Sequence, residues 1–125
     1  MKNKYLHFII LFFAITQIFA QKKLYDEKKI VKKTELNLGL SNFRGIENKE
    51  NVIIIENDNK TISAYKNGKL KWKTNVIKIC GNPKVGEPKI RYIKITEKVI
   101  KVTFGKHSMA EVELENGKTK FIGTD

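Results

Sequence analysis

The reading of this chain turns on Thr61-Ile62-Ser63-Ala64-Tyr65-Lys66-Asn67-Gly68-Lys69-Leu70-Lys71-Trp72-Lys73-Thr74-Asn75-Val76-Ile77. Asn67-Gly68 is a strong hairpin signal, because a type I′ turn needs positive φ at both central residues and Asn and Gly accept it at least cost. The flanks then read as two antiparallel strands, 61–66 and 69–77. A two-residue turn pairs Lys66 with Lys69, Tyr65 with Leu70 and Ser63 with Trp72. Leu70, Trp72, Thr74 and Val76 fall on one face of the return strand, so Tyr65, Leu70 and Trp72 are expected in the core. Lys66, Lys69, Lys71 and Lys73 take the other face as a cationic strip. Like charges across neighbouring strands are unfavourable, which makes the strip a candidate surface for an anion.

Upstream, Val52-Ile53-Ile54-Ile55 is a β-branched run suited to a buried strand. Asn57-Asp58-Asn59 supplies turn residues behind it. Leu36, Leu38 and Leu40 alternate with Asn37 and Gly39, which predicts a strand over 35–43. The polar stretch 44–51 reads as a loop. Residues 21–34 are densely charged and read as a short helix or a flexible arm.

Downstream, 81–89 holds both prolines and two glycines and must be a loop. Strands are predicted over 90–96 and 99–104, turned near Glu97-Lys98. Residues 105–108 read as a turn or bulge, and 109–115 as a strand with Ala110, Val112 and Leu114 inward. Asn116-Gly117 starts a second two-residue hairpin closed by 118–122. That register sets Glu115 against Lys118 and Glu113 against Lys120. The two hairpins echo each other, Asn67-Gly68-Lys69-Leu70-Lys71-Trp72 against Asn116-Gly117-Lys118-Thr119-Lys120-Phe121. The expected fold is all-β, or β-rich with one short N-terminal helix, in antiparallel meanders forming a sheet or small sandwich. The segment 64–73 resembles a blade repeat of quinoprotein-type β-propellers. A propeller takes roughly four or more blades, this chain has room for two, and the resemblance implies no function.

The chain has 125 residues, 25 of them basic and 13 acidic, for a formal charge of +12. One domain fits that length. Lys2 and Lys4, the apolar run from Leu6 to Phe19 and the small residue Ala20 read as a signal peptide over 1–20. The run is shorter than the ~20 apolar residues that cross a bilayer, so a membrane role would come only through an uncleaved leader. The organisation is then signal peptide 1–20, charged N-terminal arm and first strand 21–50, and antiparallel β domain 51–125. Cleavage takes Lys2 and Lys4 and no acid, leaving +10 on 105 residues. The expected location is periplasmic or secreted.

Such a charge raises nucleic acid as a partner. Export argues against it, and so does the choice of cation: only Arg44 and Arg91 are arginine, and base readout leans on the guanidinium fork. An acidic protein or an anionic glycan or lipid headgroup fits an exported basic surface better. A second basic group, Lys84, Lys89 and Arg91, lies in and just after the 81–89 loop.

Catalytic and metal chemistry find little material. The single cysteine excludes an intrachain disulfide and a cysteine-based zinc cluster. Cys80 and His107 are the only Cys and His after the leader, and a nucleophile pair would need them within hydrogen-bond reach. Gly81 to Gly86 has phosphate-loop spacing, but Glu87-Pro88 stands where Lys-Ser/Thr is required. Glu111, Glu113 and Glu115 point outward in a row and look structural, and no calcium-loop pattern surrounds Asp58. No cofactor or metal is expected. The expected function is a non-catalytic binding module for a macromolecular partner, with an immunity or inhibitor protein against a toxin as its specific form. The alternatives are a small enzyme using Cys80 and His107, or a surface factor binding anionic glycan or lipid headgroups.

Overall fold

The computed structural model describes residues 24–125, so the signal-peptide reading of 1–20 lies outside the described residues. A 3-10 turn, Glu27–Lys29, leads into β1 (Ile30–Val31), β2 (Glu35–Asn37), β3 (Gly45–Asn48), β4 (Asn51–Ile55), β5 (Thr61–Lys66) and β6 (Lys69–Asn75). A five-residue helix α1 (Val76–Cys80) follows, then β7 (Ile90–Ile95), β8 (Val99–Phe104), β9 (Ser108–Glu113) and β10 (Thr119–Thr124). The strands make two five-stranded sheets, ordered β1-β3-β4-β5-β6 and β10-β9-β8-β7-β2. Each is a four-stranded antiparallel meander with one extra edge strand. The β-rich expectation and its meanders are therefore what the molecule shows.

One interior joins the sheets. Ile46, Ile53, Ile55, Ile62 and Trp72 from the first meet Leu36, Ile93, Ile100, Val102, Phe104 and Val112 from the second, with Val76 and Ile77 of α1. The sheets thus stack as a sandwich, which is how two half-wet sheets remove their apolar faces from water. β4 is buried on both sides. Ile53 and Ile55 face this interior, while Val52 and Ile54 cluster with Tyr65 under Tyr25 and Ile30 of the N-terminal arm. That double burial explains why four consecutive β-branched residues stand there.

The register of the Asn67-Gly68 hairpin departs from the simple reading beyond its turn. Asn67 (φ 53°) and Gly68 (φ 76°) make the expected turn, and Lys66 pairs with Lys69 and Tyr65 with Leu70. Then Ala64, not Ser63, faces Trp72, because the register shifts there by a β-bulge. A bulge moves every later side chain to the opposite face. Trp72 enters the core, while Tyr65 belongs to the outer cluster and Leu70 is exposed. The shift brings the Trp72 indole N–H onto the Leu114 carbonyl at 2.9 Å, tying the edge of one sheet to a hairpin of the other.

Four further corrections have local causes. Residues 44–51 were expected as a loop, yet β3 pairs with both β1 and β4, and its one large apolar residue, Ile46, is fully buried. The predicted strand over 35–43 shrinks to β2, where only Leu36 is buried. β6 stops at Asn75, whose side chain accepts the Lys78 N–H at 2.9 Å and starts α1. Asn116-Gly117 sits in a longer loop: the Gly117 N–H donates to the Glu113 carbonyl, and Lys120 faces Glu111 instead of Glu113. Packing decides that last case. Gly117 is buried against Trp72, so close that a Cβ there would stand 2.6 Å from two indole carbons.

Candidate functional site

The predicted basic residues fall at opposite ends of the sandwich. Lys66 and Lys69 flank the β5–β6 turn, at the end that carries the β3–β4 turn and the β9–β10 loop; Lys66 forms an ion pair with Glu50 at 3.3 Å. Lys71, near the bulge, lies with its ammonium 3.5 Å from the Leu114 carbonyl. Lys73 pairs across the strands with Ser63, and its ammonium lies 3.8 Å from Glu56 on the outer face of the first sheet. The four lysines therefore do not form one continuous strip. The same bulge that buries Trp72 divides them.

Lys84, Lys89 and Arg91 lie at the other end, where several loops converge. The Ile90 N–H donates to Asn59 at 2.7 Å and the Val76 N–H to Lys60 at 2.9 Å, which brings 81–90 and α1 beside the β4–β5 turn. The Lys106 N–H donates to the Val85 carbonyl at 2.8 Å, and the Gly105 N–H to the Lys89 carbonyl at 3.0 Å. Arg91 Nη1 donates to the Gly105 carbonyl at 3.3 Å. The loop and the β8–β9 turn interlock so closely that neither Gly86 nor Gly105 has room for a Cβ: one on Gly86 would stand 2.6 Å from the Lys106 nitrogen, and one on Gly105 would strike Pro83. Both glycines also hold positive φ, 90° and 60°, which other residues adopt only at a cost. The 81–89 segment is thus irregular in secondary structure and fixed in position.

This end carries unbalanced charge. Lys89 is held 3.0 Å from Glu87. Among the described residues neither Lys84 nor Lys106 has an ion-pair partner, and both are exposed. At the same end a cleft of about 400 Å³ opens between the β4–β5 turn and α1, lined by Lys60, Asn75, Ile77, Lys78, Gly81 and Asn82. Lys60, Lys78, Lys84 and Lys106 at one end of the fold outnumber the nearby Glu87 and Asp58, and such a surplus of cations on a fixed frame attracts an anionic group. Asp58 is committed elsewhere. Burial pushes its carboxyl up, but hydrogen bonds from the Lys60 and Thr61 N–H groups and the Thr61 hydroxyl, with the charge of Lys60, outweigh this and hold it below its ordinary value. It is a turn-former.

Arg44 is spent on the fold. Its Nη2 donates to the carbonyls of Ile55 (3.3 Å) and Glu56 (2.7 Å) and to Asn59 Oδ1 (2.6 Å). Glu56 also accepts the Ser63 hydroxyl at 2.5 Å. Two shallow clefts of about 330 and 240 Å³ flank the arm where Tyr25 lies against Tyr65, ring centres 5.0 Å apart.

Cys80 is half-buried against the core, and burial pushes its thiol above its ordinary value. A reactive thiolate needs the opposite shift. His107 is exposed in the β8–β9 turn, and among the described residues no hydrogen bond joins it to Cys80. No group of three or more Cys, His, Asp or Glu able to hold a metal occurs among the described residues. Lys60, Lys78 and Lys106 were not singled out by the sequence. The signal for Lys106 was Gly105 before it, since a turn glycine beside a long loop is where loops can approach; Lys60 and Lys78 carry no local signal and join the site only through the packing of α1. Comparison with known proteins finds no matching family model, curated protein or solved structure.

Proposed function

We propose that the protein is an exported, non-catalytic binding module that engages an acidic macromolecule through the loop end of the sandwich. An immunity or inhibitor protein that blocks a toxin is the specific form. The observation that carries this reading is the interlocked 81–89 loop and β8–β9 turn, which hold Lys84 and Lys106, without ion-pair partners among the described residues, at the end where Lys60 and Lys78 line a cleft. A surface already ordered before it meets a partner loses little further freedom on binding. Its cations speed encounter with a negative partner and select against positive ones.

The test uses immobilised polyglutamate as a defined acidic probe, and the product of any toxin gene adjacent to this one as a candidate partner. Retention is expected to fall several-fold when Lys84→Glu and Lys106→Glu are combined. It is also expected to fall as salt is raised above about 0.15 M, where the Debye length is near 8 Å. The matched control combines Lys66→Glu with Lys69→Glu at the opposite end. If the control variant loses binding as fully as the loop-end variant, net charge alone is at work and the site reading fails.

A further inference from the structure

We infer that Asn67 is a site of spontaneous covalent modification in the folded protein, deamidating through attack by its neighbour Gly68, while Asn116 in the identical Asn-Gly-Lys tripeptide is protected. This goes beyond the binding reading and does not depend on it. The two tripeptides share their chemistry and differ only in what the fold does to them.

The reaction needs three things: a main-chain nitrogen free to lose its proton, an amide side chain free to rotate towards it, and a following residue too small to obstruct the approach. The Gly68 nitrogen attacks Asn67 Cγ, and the bond from Cγ to the amide nitrogen breaks. That nitrogen leaves as ammonia, carrying the proton given up by the Gly68 N–H. Water then adds across one carbon–nitrogen bond of the resulting five-membered imide, giving an aspartyl or an isoaspartyl residue. No oxidant or reductant is involved.

The β5–β6 turn meets all three conditions. Asn67 and Gly68 are exposed, and a Cβ built on Gly68 meets nothing within 4 Å. Gly68 lies between the paired residues Lys66 and Lys69, outside the ladder, and among the described residues its N–H donates to no main-chain carbonyl. Asn116 has the small neighbour and fails the other two conditions. Its Oδ1 accepts the Lys118 N–H at 2.9 Å, and the Gly117 N–H donates to the Glu113 carbonyl at 2.8 Å. Gly117 is itself buried against the Trp72 ring. Reaction there must break two hydrogen bonds and lift a glycine off an indole. With two hydrogen bonds to break first, the Asn116 rate should be lower by about tenfold or more.

The product places a new carboxylate between Lys66 and Lys69, whose like charges face each other across the turn. In the isoaspartyl form it also lengthens the main chain by one carbon inside a turn of two residues. Modification would therefore add one negative charge to the hairpin end of an intact fold.

The experiment holds the folded protein in mildly alkaline buffer and follows both Asn-Gly peptides by mass spectrometry, reading the gain of one mass unit. A second sample in concentrated urea serves as reference. The expected result is conversion at Asn67 with Asn116 lagging by about tenfold or more, and a ratio that collapses towards unity in urea. Cation-exchange chromatography should show the modified species eluting earlier. Equal conversion in the folded state, faster conversion at Asn116, a ratio unchanged by urea, or no conversion of Asn67 where the unfolded chain reacts would each overturn the inference.

Discussion

Trp72 shows how one side chain organises this molecule. Its ring closes over Gly117, its N–H holds the Leu114 carbonyl, and the bulge before it decides which lysines share a face. Gly117→Ala should cost about 2–4 kcal/mol in urea unfolding, from the strained φ of 76° together with the overlap on the indole. Gly68→Ala has the same φ of 76° and open space, so it should cost only about 1 kcal/mol. Equal losses would show that backbone strain alone governs both sites. Titration gives a second residue-scale expectation. Burial raises the Cys80 thiol above its ordinary 9.0, and burial with the Glu56 and Tyr25 charges raises Tyr65 above 10.0. A raised acid group supports the fold below its unfolded value and loses that support as pH climbs through the folded one. The melting temperature should therefore fall on the alkaline side of 9.0, and Cys80→Ala should remove part of the fall. At neutral pH a thiol reagent should react more slowly with the native protein than with the urea-unfolded chain.

At the scale of elements, the N-terminal arm is a third layer over the first sheet. It covers Val52, Ile54 and Tyr65 with little more than Tyr25 and Ile30, held by the short parallel pairing of β1 with β3 and by the Arg44 N–H on the Lys29 carbonyl at 2.8 Å. Tyr25→Ala should cost about 1–2 kcal/mol, the loss of an aromatic pair and the area it covers. It should also increase binding of a hydrophobic dye, which an arm contributing no cover would not do. The strands themselves were legible wherever one face is wet. Ile100, Val102 and Phe104 alternate, and β8 forms with those three side chains inward. Legibility ended where a distant element supplied the deciding contact. β3 is polar and becomes a strand because it has partners on both sides. Asn116-Gly117 carries the same local preference as Asn67-Gly68 and yields to the Trp72 ring. The site was half visible for the same reason. Lys84, Lys89 and Arg91 stand in or just after a proline-containing loop and could be found locally, and Lys106 follows a turn glycine, whereas Lys60 and Lys78 come to that end only through the packing of α1 against the β4–β5 turn.

For the whole molecule, the shared interior matters most. Side chains from both meanders and from α1 pack in a single cluster, so neither meander can bury its inner face alone. Unfolding should be one transition, with Trp72 fluorescence at the seam and far-ultraviolet dichroism tracking each other across a urea series. Separate midpoints would mean that the sheets melt independently. The pinned 81–89 loop has a further consequence for the lifetime of the chain. Long irregular segments rich in lysine are where trypsin ordinarily nicks a native protein, and Lys84 and Lys89 offer it two scissile bonds. To enter a protease cleft the backbone must peel away from Val85 and Lys106 and draw Pro83 off Gly105. Limited digestion should therefore trim the lysines of the arm, Lys28, Lys29 and Lys32, well before it severs this stretch, leaving the two halves of the sandwich joined by an intact peptide.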